Sequence, residues 1–336
     1  MIGPSTFAFD HVDRMSDHRG LFEHAKGPMR REEHGYCVDD NARLLVVASR
    51  ERDQGSAHRL CRLALSFVLG AQSIDGRSRN RMDRDGRWTD DFATDDCWGR
   101  SLWGLGAVAA HHSDPTIRRR ALVGFDNGVR QRSPWRRAMA FAALGAADVL
   151  GDDADHGPAR ALLVDAVEVI GPLPAGSWQW PEPRLAYANA ALAEALIAAG
   201  AALSNDLALD RGLTMLAWLF ELETPAGHLS PTGVGGRGPG DVAPRFDQQP
   251  IEAAAMADAC WRAYTVTGDR SWWEGVEVAA KWFVGGNDTA LPMYDDVSGG
   301  GFDGLQPEGA NTNQGAESTL ALISTMQRAR SFAPSP

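Results

Sequence analysis

The sequence has 336 residues, 44% hydrophobic and 23% charged, a composition that can bury a sizeable core. Its net charge of −11 argues against nucleic acid and anionic membrane as partners. No run approaches the ~20 consecutive apolar residues of a membrane span. The four cysteines (Cys37, Cys61, Cys97, Cys260) form no CxxC pair, and the N-terminal stretch lacks the apolar core of a secretory signal. Free thiols and a cytoplasmic location are therefore expected.

In chain order, Thr6–Met15 is the first, weak helical signal. A long segment, 16–38, leads to the Ala/Leu-rich run DDNARLLVVASRE from Asp39. Ser56–Ser73 then repeats Leu60, Ala64, Phe67, Val68 and Ala71 at helical spacing, with charge on its other face. The alternation continues with DDCWGRSLWGLGAVAA from Asp95, Pro115–Arg132, SPWRRAMAFAALGAADVL from Ser133 and His156–Ile170. It ends with YANAALAEALIAAGAAL from Tyr187, Asn205–Leu222, DQQPIEAAAMADACWRAY from Asp247, Asp269–Val284 and TNQGAESTLALISTMQRA from Thr312. The Ala-rich runs are apolar nearly all round, as buried helices are; the others carry polar faces and starts marked by Pro115, Asn205 and Asp269. Six buried helices alternating with six polar-faced ones predict an all-α fold, an (α/α)6 toroid of six helical hairpins filling residues 1–336 as one domain.

The connections are lopsided. Inner-to-outer links are short, whereas outer-to-inner links (73–94, 171–187, 223–247, 285–312) are long and all fall on one end of a hairpin toroid. The third hairpin, with almost no loop before Ser133, is the exception and predicts an open side in that wall. The inner-helix starts are rich in carboxylates, amides and aromatics: HGYCVDDNAR (34–43), TDDFATDDCWGR (89–100), SWQWPEPRLAYAN (177–189), PRFDQQPIE (244–252) and TNQGAES (312–318). Helix capping accounts for one Asp of each Asp-Asp pair and for a capping-box-like pairing of Glu252 with Gln249. It leaves the second acid, and the accompanying Trp, Arg and Gln, unexplained.

Helices pack ~8–10 Å apart, so opposite inner helices of a six-membered ring stand about 18–20 Å apart. Side chains reaching inward leave under ~10 Å, compatible with the ~6.5–9.5 Å carboxyl separation of inverting glycosidases. The second and fifth hairpins oppose, placing Asp95 and Asp96 against Asp247 and Glu252. The first and fourth oppose, placing Asp39 and Asp40 against Glu182. Catalytic candidates are thus Asp40, Asp95, Asp96, Glu182, Asp247, Glu252 and Glu317. Substrate-binding candidates are His34, Tyr36, Asp39, Arg43, Asp91, Trp98, Arg100, Trp178, Trp180, His228, Arg245, Gln248, Gln249, Asn313 and Gln314, with indole faces offered to sugar rings. No cofactor or metal is called for. The grouping His34, Cys37, Asp39, Asp40 has no recurring ligand spacing, and DDVSGGGFDG (295–304) lacks the EF-hand pattern. The glycines of TGVGGRGPG (232–240) do not stand in P-loop or Rossmann order.

The motifs GYCVDDNAR, TDDCWGRSLWGLG, FDQQPIEAAAMADAC and NQGAESTLAL, from Gly20 to Leu322, resemble the six-hairpin glycosidase-like superfamily. Within it they resemble a poorly characterised bacterial family associated with, or fused to, glycosyltransferase domains. The resemblance implies a carbohydrate-active enzyme acting on an oligosaccharide: an inverting glycoside hydrolase or phosphorylase, or a sugar 2-epimerase with His228 or His34 as base. A non-catalytic glycan-binding partner of a glycosyltransferase is the third expectation. The resemblance also implies an acidic residue where this chain has Ala188. The single QSIDG (72–76) is too little for the terpenoid-cyclase variant of the toroid, whose cleft would be apolar.

Overall fold

The computed structural model describes residues 9–51, 55–242 and 245–331. Among them are six inner helices: α2 (Val38–Ser49), α4 (Asp96–His111), α6 (Arg136–Asp152), α8 (Ala190–Leu203), α10 (Pro250–Thr267) and α12 (Ala316–Arg330). Each packs on the next, and α12 returns to α2, closing the ring. The outer layer is α3 (Gly55–Ala71), α5 (Pro115–Gly128), α7 (Gly157–Ile170), α9 (Asp206–Glu223) and α11 (Ser271–Phe283). The sixth outer position holds α1 (Asp10–Arg14), one turn packed on α12 and α3. Of the expected Thr6–Met15 helix, Thr6–Ala8 lie outside the described residues.

The inner helices are buried on nearly every side, which is why their sequences carry alanine and glycine where outer helices carry charge. The closest approach is between α4 and α6, where a Cβ on Gly145 would meet the Leu102 carbonyl at 2.1 Å. Two of the outer-helix caps follow the sequence signals, whereas α11 has Arg270 at its N-cap, with Asp269 one residue earlier accepting from Ser271 N at 2.9 Å. Asp114 accepts from Thr116 N at 2.8 Å ahead of Pro115, and Asn205 accepts from Ala208 N at 3.1 Å.

The long links do contain structure that helical periodicity does not reveal. Three two-stranded ribbons lie in them: β1 (Ala25–Lys26) with β2 (Met29–Arg30), β3 (Tyr36–Cys37) with β4 (Arg81–Met82), and β5 (Gly304–Gln306) with β6 (Gly309–Asn311). The β3–β4 ribbon fastens the loop of the second hairpin to the start of α2.

The plain end of the ring is sealed by buried charge. Asp258 on α10 accepts from Arg50 (2.9 Å), Arg328 (2.5 Å) and Ser324 (2.9 Å), which hold its carboxyl below the usual carboxylate range against the opposing effect of burial. No helix among the described residues is long and apolar enough to cross a membrane.

Candidate active site

All six inner helices begin at the elaborate end, and a cleft opens where their first turns converge. One lobe, about 600 Å³, is lined by Asp39, Asp95, Asp96, Trp135, Arg137 and Tyr187, among others. The other, about 360 Å³, is lined by Glu23, His24, Asp40, Asp247, Gln249 and Asp303 and their neighbours. Asp39, Arg43 and Glu317 belong to both, so the lobes form one continuous depression.

Capping does not account for the acids as expected. The N-cap of α2 is Cys37, and that of α4 is Asp95, whose carboxylate makes no cap bond. The amides of Val38 and Asp39 are instead served by Asn80 Oδ1 from the next hairpin's loop, at 3.1 and 3.3 Å. Nor does the Glu252 carboxylate close a capping box with Gln249, which Glu252 meets only through its backbone amide, at 3.1 Å. Its carboxylate crosses to α8, accepting from the amides of Ala188 (2.5 Å) and Asn189 (3.2 Å) and from Asn189 Nδ2 (3.2 Å). It therefore caps a neighbouring helix rather than its own. Burial, with the charge of Glu223 adding, pushes the Glu252 carboxyl up to about 8.

The acids divide into paired and available ones. Asp40 is buried against Arg43 (2.5 Å) and the Cys37 thiol (3.0 Å), and burial raises it to about 6. Arg43 also reaches Glu317, 2.6 Å away. Both oxygens of Glu182 accept from Arg137 Nη1, at 2.8 and 2.9 Å, and Glu182 lines neither lobe, so it anchors an arginine instead of facing substrate. Asp95 accepts the indole N–H of Trp135 (3.1 Å), and Asp96 accepts the hydroxyl of Tyr187 (2.6 Å). Arg100 is only 3% exposed; it lies 3.5 Å from Asp39, 3.9 Å from Asp96 and 3.9 Å above the Phe141 ring. Asp247 has one oxygen bonded to Gln306 (3.1 Å), while its Oδ1 is buried without a hydrogen-bond partner.

Several expected contacts lie elsewhere, and each is corrected by its packing. Trp98 is buried with its N–H on the Gly128 carbonyl (3.1 Å); Trp180 is buried and stacks on Trp218. Trp178 packs edge-on against the same Trp218 and donates to the Glu182 carbonyl (2.7 Å). Tyr36 is buried against Phe22, its hydroxyl on Asp17 (2.8 Å). Gln248 is spent between Asp288 (2.6 Å) and Trp282 (3.3 Å), and His228 pairs with the same Asp288 at 2.9 Å. Gln314 binds Ser298 and Asp295, and Asn313 holds the Gly27 amide. His34 and Asp91 are exposed, and Arg245 stands 3.6 Å from Asp241; none of the three lines either lobe.

Three residues of the first lobe, Trp135, Arg137 and Tyr187, were absent from the sequence candidates, as were Glu23, His24, Arg81 and Asp303 of the second. Trp135 and Arg137 come from the third hairpin, so that wall is furnished and not open. Trp135 is 60% exposed, unlike the loop tryptophans. Arg137 stacks on the Tyr187 ring (4.8 Å). The available signal was an aromatic and two arginines at a helix start, SPWRRAM.

Among the described residues one metal-like grouping exists: Glu23, Cys37 and Asp40, with ligand atoms within 4.8 Å of one another. Burial keeps the Cys37 thiol protonated, and Arg81 and Arg43 already pair with the two carboxylates.

No family model and no curated sequence matches the chain. Solved structures do match its fold. Cellobiose 2-epimerase from Spirochaeta thermophila superposes with a TM-score of 0.70 at 12% identity, covering 98% of this chain and 96% of that one. A sugar epimerase from a ruminal bacterium gives 0.69 at 12%, covering 97% and 96%. The GH76 α-mannanase of Bacteroides thetaiotaomicron gives 0.62 at 11%, covering 96% and 93%. These likenesses show the six-hairpin (α/α)6 toroid, as the helical pattern and motif resemblance anticipated.

Proposed function

We propose that the chain is a carbohydrate-active enzyme that hydrolyses a glycosidic bond of an oligosaccharide with inversion. The observation that carries this is the position of Asp247. Asp247 lines the cleft from the fifth hairpin, with one oxygen on Gln306 and the other buried against Gly304, while Asp95 and Asp96 line it from the opposite second hairpin beside the exposed face of Trp135. A sugar stacked on Trp135 and hydrogen-bonded to Tyr187 lies between them. One carboxyl protonates the leaving oxygen while the other, on the far face of the ring, removes a proton from the attacking water. Both proton transfers run on side chains of this chain alone.

Water is favoured over phosphate as the acceptor because the arginines are matched by acids: Arg43 by Asp40 and Glu317, Arg137 by Glu182, and Arg100 by Asp39 and Asp96. A glycosyltransferase is a fitting partner, building the chain that this cleft trims. The four cysteines, all buried free thiols, fit a cytoplasmic setting.

A second reading, sugar 2-epimerisation, is favoured by one residue. His24 lines the second lobe 3.6 Å from Glu23, placing an imidazole where a C–H proton could be exchanged. His228 and His34, the bases first expected for this chemistry, line neither lobe.

The test is a glycan-library screen with product NMR, repeated on Asp247→Asn and Asp96→Asn. Hydrolysis is expected to release an anomer inverted relative to the substrate and to fall ~10²–10⁴-fold in both variants. Full activity in both would overturn the assignment. A product epimerised at C2 with every glycosidic bond intact would establish the second reading, and its loss in His24→Asn would identify the base.

A further inference from the structure

Below the cleft, on the axis of the ring, lies a narrow well of about 50 Å³. Its mouth is Arg43, Arg100 and Glu317, three residues that also line the first lobe, so the well continues the cleft downward. Its wall is apolar and includes Trp103, Phe141, Leu144, Ala191, Ile251 and Ala255. Trp103 and Ala255 belong to inner helices yet keep exposed surface, and that surface faces this void. The Trp103 and Phe141 rings stack with centroids 5.6 Å apart, and Arg100 covers Phe141 from above.

Two carboxylates stand at the bottom, Asp258 hydrogen-bonded and Glu194 in a looser ion pair. Asp258 is held by Arg50, Arg328 and Ser324, and Glu194 stands 3.5 Å from Arg262. A hydroxyl entering the well would give up its water and meet mostly carbon, at a cost. A methyl group loses nothing on entry and fills a space that apolar walls keep dry. The well has room for roughly three or four water-sized groups, so a methyl fits and a sugar ring does not.

We propose that this well seats the C6 methyl of a 6-deoxyhexose unit held in the cleft above. The proposal rests on the cleft being a sugar site and adds which sugar it selects. The ring lies at the level of Arg43, Arg100 and Glu317, where its hydroxyls find donors and acceptors. The methyl points down between Ala255 and the Trp103–Phe141 pair.

Matched methyl glycosides that differ only at C6 test this: L-fucose against L-galactose and L-rhamnose against L-mannose, with the D-series pairs, each as both anomers. Affinities are measured by calorimetry on the full chain. At least one 6-deoxy sugar is expected to bind about tenfold or more tightly than its parent, the discrimination one apolar group gives in a shaped pocket. Ala255→Leu fills the well and is expected to erase that preference, and Ala255→Val to reduce it if the leucine variant does not fold. Equal or tighter binding of every parent hexose overturns the proposal and leaves the sugar site standing. Failure of every glycoside to bind overturns the sugar reading and the proposal with it. An arm independent of sugar is xenon NMR: a saturable shift lost in the filled variants is expected, and its absence in the parent protein shows a wet well and overturns the proposal.

Discussion

Arg43 Nη2 lies 2.6 Å from Glu317 Oε2, joining the first inner helix to the last at the mouth of the well beneath the cleft. The same guanidinium holds buried Asp40 through Nη1. Removing Arg43 therefore strands a buried carboxylate, whereas removing Glu317, whose side chain is 35% exposed, does not. Arg43→Met is expected to cost ~3–5 kcal/mol and Glu317→Gln about 1 kcal/mol or less. Urea unfolding of the two variants measures the difference.

Trp135 and Trp98 are expected to separate binding from stability. Trp135→Ala should weaken sugar binding about tenfold and barely move the melting temperature, since the residue is 60% exposed. Trp98→Ala should cost ~3–5 kcal/mol of stability because it empties a buried site. Calorimetry and thermal melts on the pair decide it.

Gly304 sets the position of Asp247. A Cβ at Gly304 would stand 2.5 Å from Asp247 Oδ1, so Gly304→Ala must displace the carboxylate. If Asp247 acts in catalysis, kcat should fall by about 10²-fold, the scale of an ångström-level misplacement. The stability change should stay near 1 kcal/mol. Steady-state kinetics beside a melt checks both.

Glu252 and its neighbour Glu223 give stability a pH dependence of definite sign. Burial pushes their carboxyls up to about 8 and about 7, above the ordinary carboxylate value near 4.3. The folded protein thus binds more protons than the unfolded chain between about pH 4 and 8. Their contribution is fully present below that window and is lost as pH rises through it. Unfolding free energy should fall by several kcal/mol from pH 5 to pH 8, at about 1.4 kcal/mol per pH unit for each proton so held. Glu252→Gln should flatten most of that fall; an unchanged slope by denaturant titration would contradict the assignment.

The helices were legible in the sequence because burial on every side forces an Ala-rich, charge-poor composition on inner helices, and α2, α4, α6, α8, α10 and α12 all start within four residues of the expected runs. The cleft was legible only as a place. Polar neighbours in sequence do not say which way a side chain turns. Trp98 and Trp180, among Asp, Gly and Pro, went to the core; Trp135, beside a helix with a short preceding loop, went to the cleft. Carboxylates proved similarly ambiguous. Glu182 and Glu252 found partners on other hairpins, Arg137 and the amides at Ala188 and Asn189, and such partners are set by ring order rather than by local spacing.

The α12–α2 seam also has a consequence for how the molecule comes into being. Arg43 and Glu317 are 274 residues apart, as are Arg50 and Ser324, and Gln327 reaches the Val47 carbonyl across 280. During synthesis the earlier hairpins can stack on their neighbours as an open arc, with the buried charges of α2 still facing water. The arc becomes a ring only when α12 arrives. Asp39 and Glu317 then share a cavity for the first time. Contacts so distant in sequence slow folding and leave the apolar inner face of the arc exposed meanwhile, so nascent chains stalled before residue 316 should be those that chaperones hold.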